Sequence, residues 1–188
     1  MKTIKKTIIL SLVFCAVFIF AIPQQISAQI SSEAARLLRS ANVQIFYQPA
    51  RSIDFTLPLL AGGNASLSSF KGRVVLLNFW TSWCPACSRG KPSMEVLHQR
   101  FNNHGLDIIA VNLMEDTNTV RQYIQRHGYT FRVMLDNSGT VGSNYDIRGI
   151  PTTFVIDRQG LIVGVVSGAI DWSSPQMIAG IEALLNSR

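Results

Sequence analysis

The stretch Phe79–Pro92, FWTSWCPACSRGKP, carries two cysteines, Cys84 and Cys87, separated by Pro85 and Ala86. Thiols at this spacing can form a structural staple, half of a metal site or a redox pair. A staple here is poorly placed, because a disulfide closing so short a loop removes little unfolded-chain entropy, roughly 2 kcal/mol. A structural zinc site needs four ligands. The chain has no second Cys pair, and His98, His104 and His127 are scattered on expected surface positions, so no metal is expected. Redox exchange uses the arrangement fully. A thiolate attacks a disulfide and forms a mixed disulfide, which a second nearby thiol resolves. Unsatisfied N–H groups and the dipole at a helix N-terminus stabilise the first anion. Cys84 is therefore expected to be the exposed nucleophile and Cys87, one turn in, the buried resolver.

The surrounding elements must position this pair. The apolar run VVLLNFW (74–80) reads as a strand buried on both faces, and residues 84–101 read as a helix with Met94, Val96, Leu97 and Phe101 on its apolar stripe. LDIIAVNL (106–113) is a second buried strand, Thr117 to His127 a helix, FRVML a short strand and DNSGT a turn. TTFVID and LIVGVV flank Asp-Arg-Gln-Gly as an antiparallel hairpin, and Ser174-Pro175 opens a last helix. Upstream, SSEAARLLRSA is a helix, and IDFTLP and NASLSSF form a hairpin around Ala61-Gly62-Gly63. The order predicts one α/β domain, parallel early and antiparallel late, with Cys84 on the carboxyl edge of the sheet where ligands bind.

Gly149-Ile150-Pro151-Thr152-Thr153 leads into a buried strand, and Pro is disfavoured mid-strand. A cis Ile150–Pro151 bond would accommodate it and leave Ile150 backbone groups free for an extended substrate; an ordinary trans turn is the other reading.

The 188-residue chain carries a formal charge of +6. Part of that charge lies in MKTIKK, which precedes an apolar run from Ile8 to Ile22 and a small-residue Ile26-Ser27-Ala28. This is the order of a secretory signal peptide cleaved after Ala28; an uncleaved anchor at residues 8–22 is the alternative. Cys15 follows a bulky Phe14, which argues against lipoprotein processing. Without residues 1–28 the charge falls to +3 and both remaining cysteines lie in CPAC. Nucleic acid is thus not expected as a partner, and an oxidising compartment is. The expected division is residues 1–28 as signal, 29–52 as N-terminal helix and lead-in, and 53–188 as the domain.

VVLLNFWTSWCPAC, Pro92, VNLMED, IPTTFVID and Asp-Arg-Gln-Gly together resemble the thioredoxin fold. More narrowly, from about Ile53 to Leu185, they resemble the ResA/TlpA group of exported thiol–disulfide oxidoreductases. The resemblance implies a central mixed sheet flanked by helices, an N-terminal hairpin, and a strand-helix insertion between about Ile108 and Gly128. It also implies cis-Pro151 facing a redox disulfide between Cys84 and Cys87. Implied partners are disulfide-bearing envelope proteins, apocytochrome c among them, and a membrane electron donor; no cofactor is needed and a monomer is expected. Asn78 stands where thioredoxins carry a buried Asp, and Gly90 where many ResA-like members carry Glu, which weakens the cytochrome-specific inference. Glu115 matches a family acid near the active site. It is either a buried proton manager for Cys87 or a solvated helix-start acid. Trp83, Pro85, Ala86, Ile150 and Pro151 are the expected substrate contacts. Arg89, Lys91 and Arg148 form either a basic rim near Cys84 or a plain solvated face. Trp80 and Trp172 are expected in the core. The principal expectation is a reductase. An envelope oxidase or isomerase, a thiol peroxidase suggested by Thr81-Ser82-Trp83-Cys84, and a non-enzymatic copper chaperone are the alternatives.

Overall fold

The apolar run Val74–Trp80 is buried at every residue and forms the central strand of the molecule. The computed structural model describes residues 30–187. Their order is α1 (Ser32–Ser40), β1 (Gln44–Arg51), β2 (Thr56–Pro58), β3 (Asn64–Ser66), β4 (Val74–Trp80), α2 (Pro85–Phe101), β5 (Leu106–Leu113), α3 (Thr117–His127), β6 (Arg132–Asp136), α4 (Thr140–Asn144), β7 (Thr152–Ile156), β8 (Leu161–Ser167) and α5 (Pro175–Asn186).

Six strands form one sheet in the order β1-β8-β7-β4-β5-β6. The pairs β4–β5 and β5–β6 are parallel, and α2 and α3 supply the crossovers that parallel pairing requires. The remaining pairs are antiparallel. Alternation along the strands divides the core into two layers. Leu76, Trp80, Ile108 and Ala110 face α2, α5 and α1, packing with Met94, Leu97, Ile181 and Leu38. Val75, Leu77, Phe79, Ile109 and Val111 face the opposite layer, with Leu57, Phe70, Val141 and Tyr145. Two covered faces explain why β4 and β5 are continuous apolar runs rather than alternating ones. The segment Ile108–Gly128 holds most of β5 and all of α3, and its strand is the parallel neighbour of β4.

Two elements lie beyond the sequence expectation. The lead-in after α1 is a strand, β1, which pairs with β8 through a bulge between Ile45 and Ala50. Only Ile45 of its eight residues is fully buried, so its hydrophobic signal is weak. The DNSGT turn runs on into the short helix α4, where buried Asp136 accepts a 2.8 Å hydrogen bond from Gly142 N. Among the described residues no helix is long and apolar enough to cross a membrane. The expected signal or anchor, residues 1–28, lies outside the described residues.

Candidate active site

β4 delivers the chain to the carboxyl edge of the sheet, and Thr81-Ser82-Trp83 turns it into α2. Cys84 is the N-cap of α2, and Pro85 follows at the first helical position, where its fixed φ suits the helix. Cys84 and Cys87 form a disulfide with a Cα–Cα distance of 5.3 Å. Cys87 N donates a 3.1 Å hydrogen bond to Cys84 Sγ, so the sulfur occupies the position of an N-cap acceptor. Cys87 is 2 % exposed. Cys84, expected to be exposed, is itself only 5 % exposed in this disulfide form. Trp83 beside it is 70 % exposed, Pro85 is exposed and Ala86 is half-buried.

The Ile150–Pro151 peptide is cis. The Ile150 carbonyl oxygen lies 3.8 Å from Cys84 Sγ. Pro151 O accepts a 2.8 Å hydrogen bond from Gly168 N, which ties the turn to the end of β8. Next to it an open groove of about 500 Å³ is lined by Arg148, Ile150, Pro151, Phe154 and Val165, among others. The structure thus brings Cys84, Cys87, Ile150 and Pro151 into one site, rimmed by Trp83 and Pro85.

Glu115 stands apart from the solvated start of α3. Asp116 serves as the solvated cap of α3, accepting from Asn118 N and Thr119 N at 3.0 Å each. Glu115 turns inward instead and is half-buried. Its carboxylate accepts from Ser82 N at 2.7 Å, Ser82 Oγ at 2.5 Å and Asn112 Nδ2 at 2.6 Å. It therefore clamps the loop preceding Cys84 to the end of β5.

Beneath the pair, Asn78, Cys87, Lys91, Pro151, Thr153 and Trp172 border a small cavity. Buried Asn78 links to Thr153, and Gly90 packs under the 169–172 loop, where a Cβ would lie 3.7 Å from Ile170 O. The basic rim is corrected here. Arg89 is exposed, and exposed Arg148 pairs with Asp146 at 2.6 Å, but Lys91 is 2 % exposed and lies inside the protein. Its position was readable, since Cys87, Lys91 and Met94 recur at spacings of four and three, on one helix face. Trp80 is fully buried against Tyr123, and Trp172 is buried, its backbone N–H donating to Ser93 Oγ at 3.0 Å. The Ser82 and Asn112 contacts of Glu115 had no sequence signal, because they depend on how the loop closes over β5.

The Redoxin family profile matches residues 48–185. The thiol-disulfide oxidoreductase ResA of Halalkalibacterium halodurans is 38 % identical over 120 residues, 64 % of this chain and 68 % of that protein. ResA of Geobacillus kaustophilus is 36 % identical over 117 residues, covering 62 % and 67 % respectively. Among solved structures, a thioredoxin-family thiol:disulfide interchange protein from Chlorobium tepidum matches with a TM-score of 0.65 at 26 % identity, over 75 % of this chain and 99 % of its own. The six-stranded mixed sheet with its helices is thus a thioredoxin-like fold. With a Cys-x-x-Cys disulfide at the N-cap of α2 and this family match, the chain belongs to the Redoxin family and is a ResA-like thiol–disulfide oxidoreductase.

Proposed function

We propose that this oxidoreductase is exported and reduces disulfides of proteins in the cell envelope. In the dithiol form Cys84 thiolate attacks a partner disulfide, forming a mixed disulfide and releasing one partner thiolate. Cys87 then attacks Cys84 Sγ, closing the Cys84–Cys87 disulfide and releasing the second partner thiolate. Two electrons pass to the partner, and an external dithiol donor at the membrane restores the pair. Trp83, Pro85, Ala86, Ile150 and Pro151 contact the partner chain, while Glu115 positions the Ser82 loop under the nucleophile. Apocytochrome c is one partner of suitable chemistry. Residues 1–28 act as the export signal, or residues 8–22 as an anchor.

The observation that carries this reading is the setting of Cys84 Sγ. It accepts the Cys87 N–H at 3.1 Å, at a helix N-terminus that favours an anion, and it lies 3.8 Å from the carbonyl oxygen of Ile150, a residue that lines an open groove. The deciding experiment is the reduction potential of the pair in defined glutathione or dithiothreitol buffers. A value close to the roughly −270 mV of thioredoxin supports an electron donor to envelope disulfides. A value near about −120 mV makes the protein an oxidant and reverses the direction of the mechanism.

A further inference from the structure

Lys91 is 2 % exposed, and its Nζ has no hydrogen-bond partner among the described residues. The amine lies over the ring of Trp80, 3.7 Å from its centroid, with the Phe131 ring at 5.3 Å. Aromatic faces favour an ammonium but do not replace the water it loses on burial. Burial accordingly holds the Lys91 amine well below the usual lysine range.

Its neighbours leave little to balance a charge. Asp107 on β5 is occupied by Arg73 and Arg132. Glu95, on the outer flank of α2, is bonded to Thr130 and Gln99. Glu115 is held by Ser82 and Asn112. His98, on α2 against Phe131, is held below its ordinary value by burial. On the α3 side, Tyr123 packs on Trp80 and is followed by His127 and Tyr129; burial pushes the Tyr129 phenol up to about 12. From β4 and β7 come Asn78 and Thr153, which do not ionise. Among the described residues, the remaining source of negative charge is the cysteine pair once it is reduced. Lys91 lies one helical turn after Cys87 and borders the same small cavity. Helical side chains lean toward the N-terminus, which carries the Lys91 stem back over the Cys87 turn.

We infer that Lys91 is a proton-linked counter-charge to the cysteine pair, neutral while the disulfide is closed and protonated once reduction leaves a thiolate on Cys84. The inference rests on the exchange chemistry proposed above. A dithiol reductant supplies two electrons and two protons. The electrons break the Cys84–Cys87 bond, one proton goes to Cys87 Sγ and the other to Lys91 Nζ, and Cys84 keeps its negative charge. When a partner disulfide is reduced, both protons leave with the two partner sulfurs. Lys91 forms no bond with the partner's sulfur; it holds a proton and acts through the charge of the pair.

The test is NMR titration of the full-length chain carrying 13Cε-labelled lysine, in disulfide and dithiol forms. The Lys91 resonance is identified by the Trp80 ring current and its absence in Lys91→Met. The expected result is a Lys91 midpoint that rises by about one pH unit or more on reduction. Lys91→Met should raise the Cys84 thiolate midpoint, read from thiolate absorbance, by a similar amount. It should also shift the equilibrium with glutathione about tenfold toward the disulfide, about 30 mV. An identical Lys91 midpoint in both redox forms, measured on the wild-type chain alone, overturns the inference while leaving the reductase reading intact. A wild-type pair that does not exchange with glutathione overturns both.

Discussion

Asn78 Nδ2 donates a 2.9 Å hydrogen bond to Thr153 Oγ1, pinning the antiparallel pair β4–β7 through a neutral link in the cavity that also borders Cys87. Neither partner can hold or lose a proton near neutral pH. Whatever proton traffic accompanies exchange must therefore pass through groups other than these two.

Asn78→Asp puts an ionisable group at a site that is 3 % exposed. Desolvation is expected to raise its folded-state pKa above the unfolded value of about 4. An acid whose folded pKa is raised gives full stability below that unfolded value, and the contribution is lost as pH climbs through the folded pKa. The variant should match wild type near pH 4 and fall behind it by about 2 kcal/mol at pH 8. Urea midpoints at the two pH values are the measurement. Parallel curves would mean that the new carboxylate has found a cation, for which Lys91 is the obvious candidate.

Cys87→Ser should attack a disulfide-bearing peptide once and stop, accumulating a mixed disulfide on Cys84. Cys84→Ser should form no adduct under the same conditions. Intact-protein mass spectrometry distinguishes the two, and adducts on the wrong cysteine would exchange the roles of nucleophile and resolver.

Glu115→Ala removes three acceptor contacts and leaves Ser82 N and Asn112 Nδ2 without their partner. Losing charge-assisted hydrogen bonds in a half-buried place should cost about 2 kcal/mol. The exchange rate with a model disulfide should fall as well, since the released loop leads directly into Cys84. Glu115→Gln keeps one acceptor oxygen and should fall between the two. A variant with wild-type kinetics and lowered stability would limit Glu115 to a purely structural role.

Asp157 turns the β7–β8 hairpin by accepting Gln159 N and Leu161 N at 2.9 Å each. Burial raises its pKa, an effect the backbone donors only partly offset. The direction again favours the protonated acid in the fold, so this residue's contribution is present below about pH 4 and lost as pH rises through its folded value. Asp157→Asn retains the acceptor oxygen without the charge. It should be at least as stable as wild type at pH 7 and show a flatter stability profile from pH 4 upward, measured by thermal unfolding across pH.

The buried runs and the helices between them were legible because β4 and β5 must be apolar on both faces and α3 and α5 carry their own caps. Ser174 bonds a first-turn N–H of α5, as its sequence position before Pro175 suggests, and Asp116 does the same for α3. The pairing of Cys84–Cys87 with Ile150–Pro151 was legible only through the two motifs taken together, since nothing local links them. β1 escaped because most of its residues stay in solvent, and α4 because five residues carry no periodicity. Lys91 was misread for a different reason. A charge in a polar-looking stretch, SRGKP, outweighed the helical register that points it at the sheet.

The margins of the sheet limit how anything can join it. On one side, Leu59 bridges to Met134 and Leu60 N bonds to Val133 O, so part of the free rim of β6 is already taken by the segment after β2. On the other side β1 carries a bulge and Pro49, which has no N–H to offer. Both are devices that discourage edge-to-edge growth of a sheet. A protein proposed to take an extended partner segment beside Ile150 is thereby shielded from recruiting that segment as an additional strand. On the proposed reading, contact is left to the groove at Ile150 and Pro151, from which a partner can leave again.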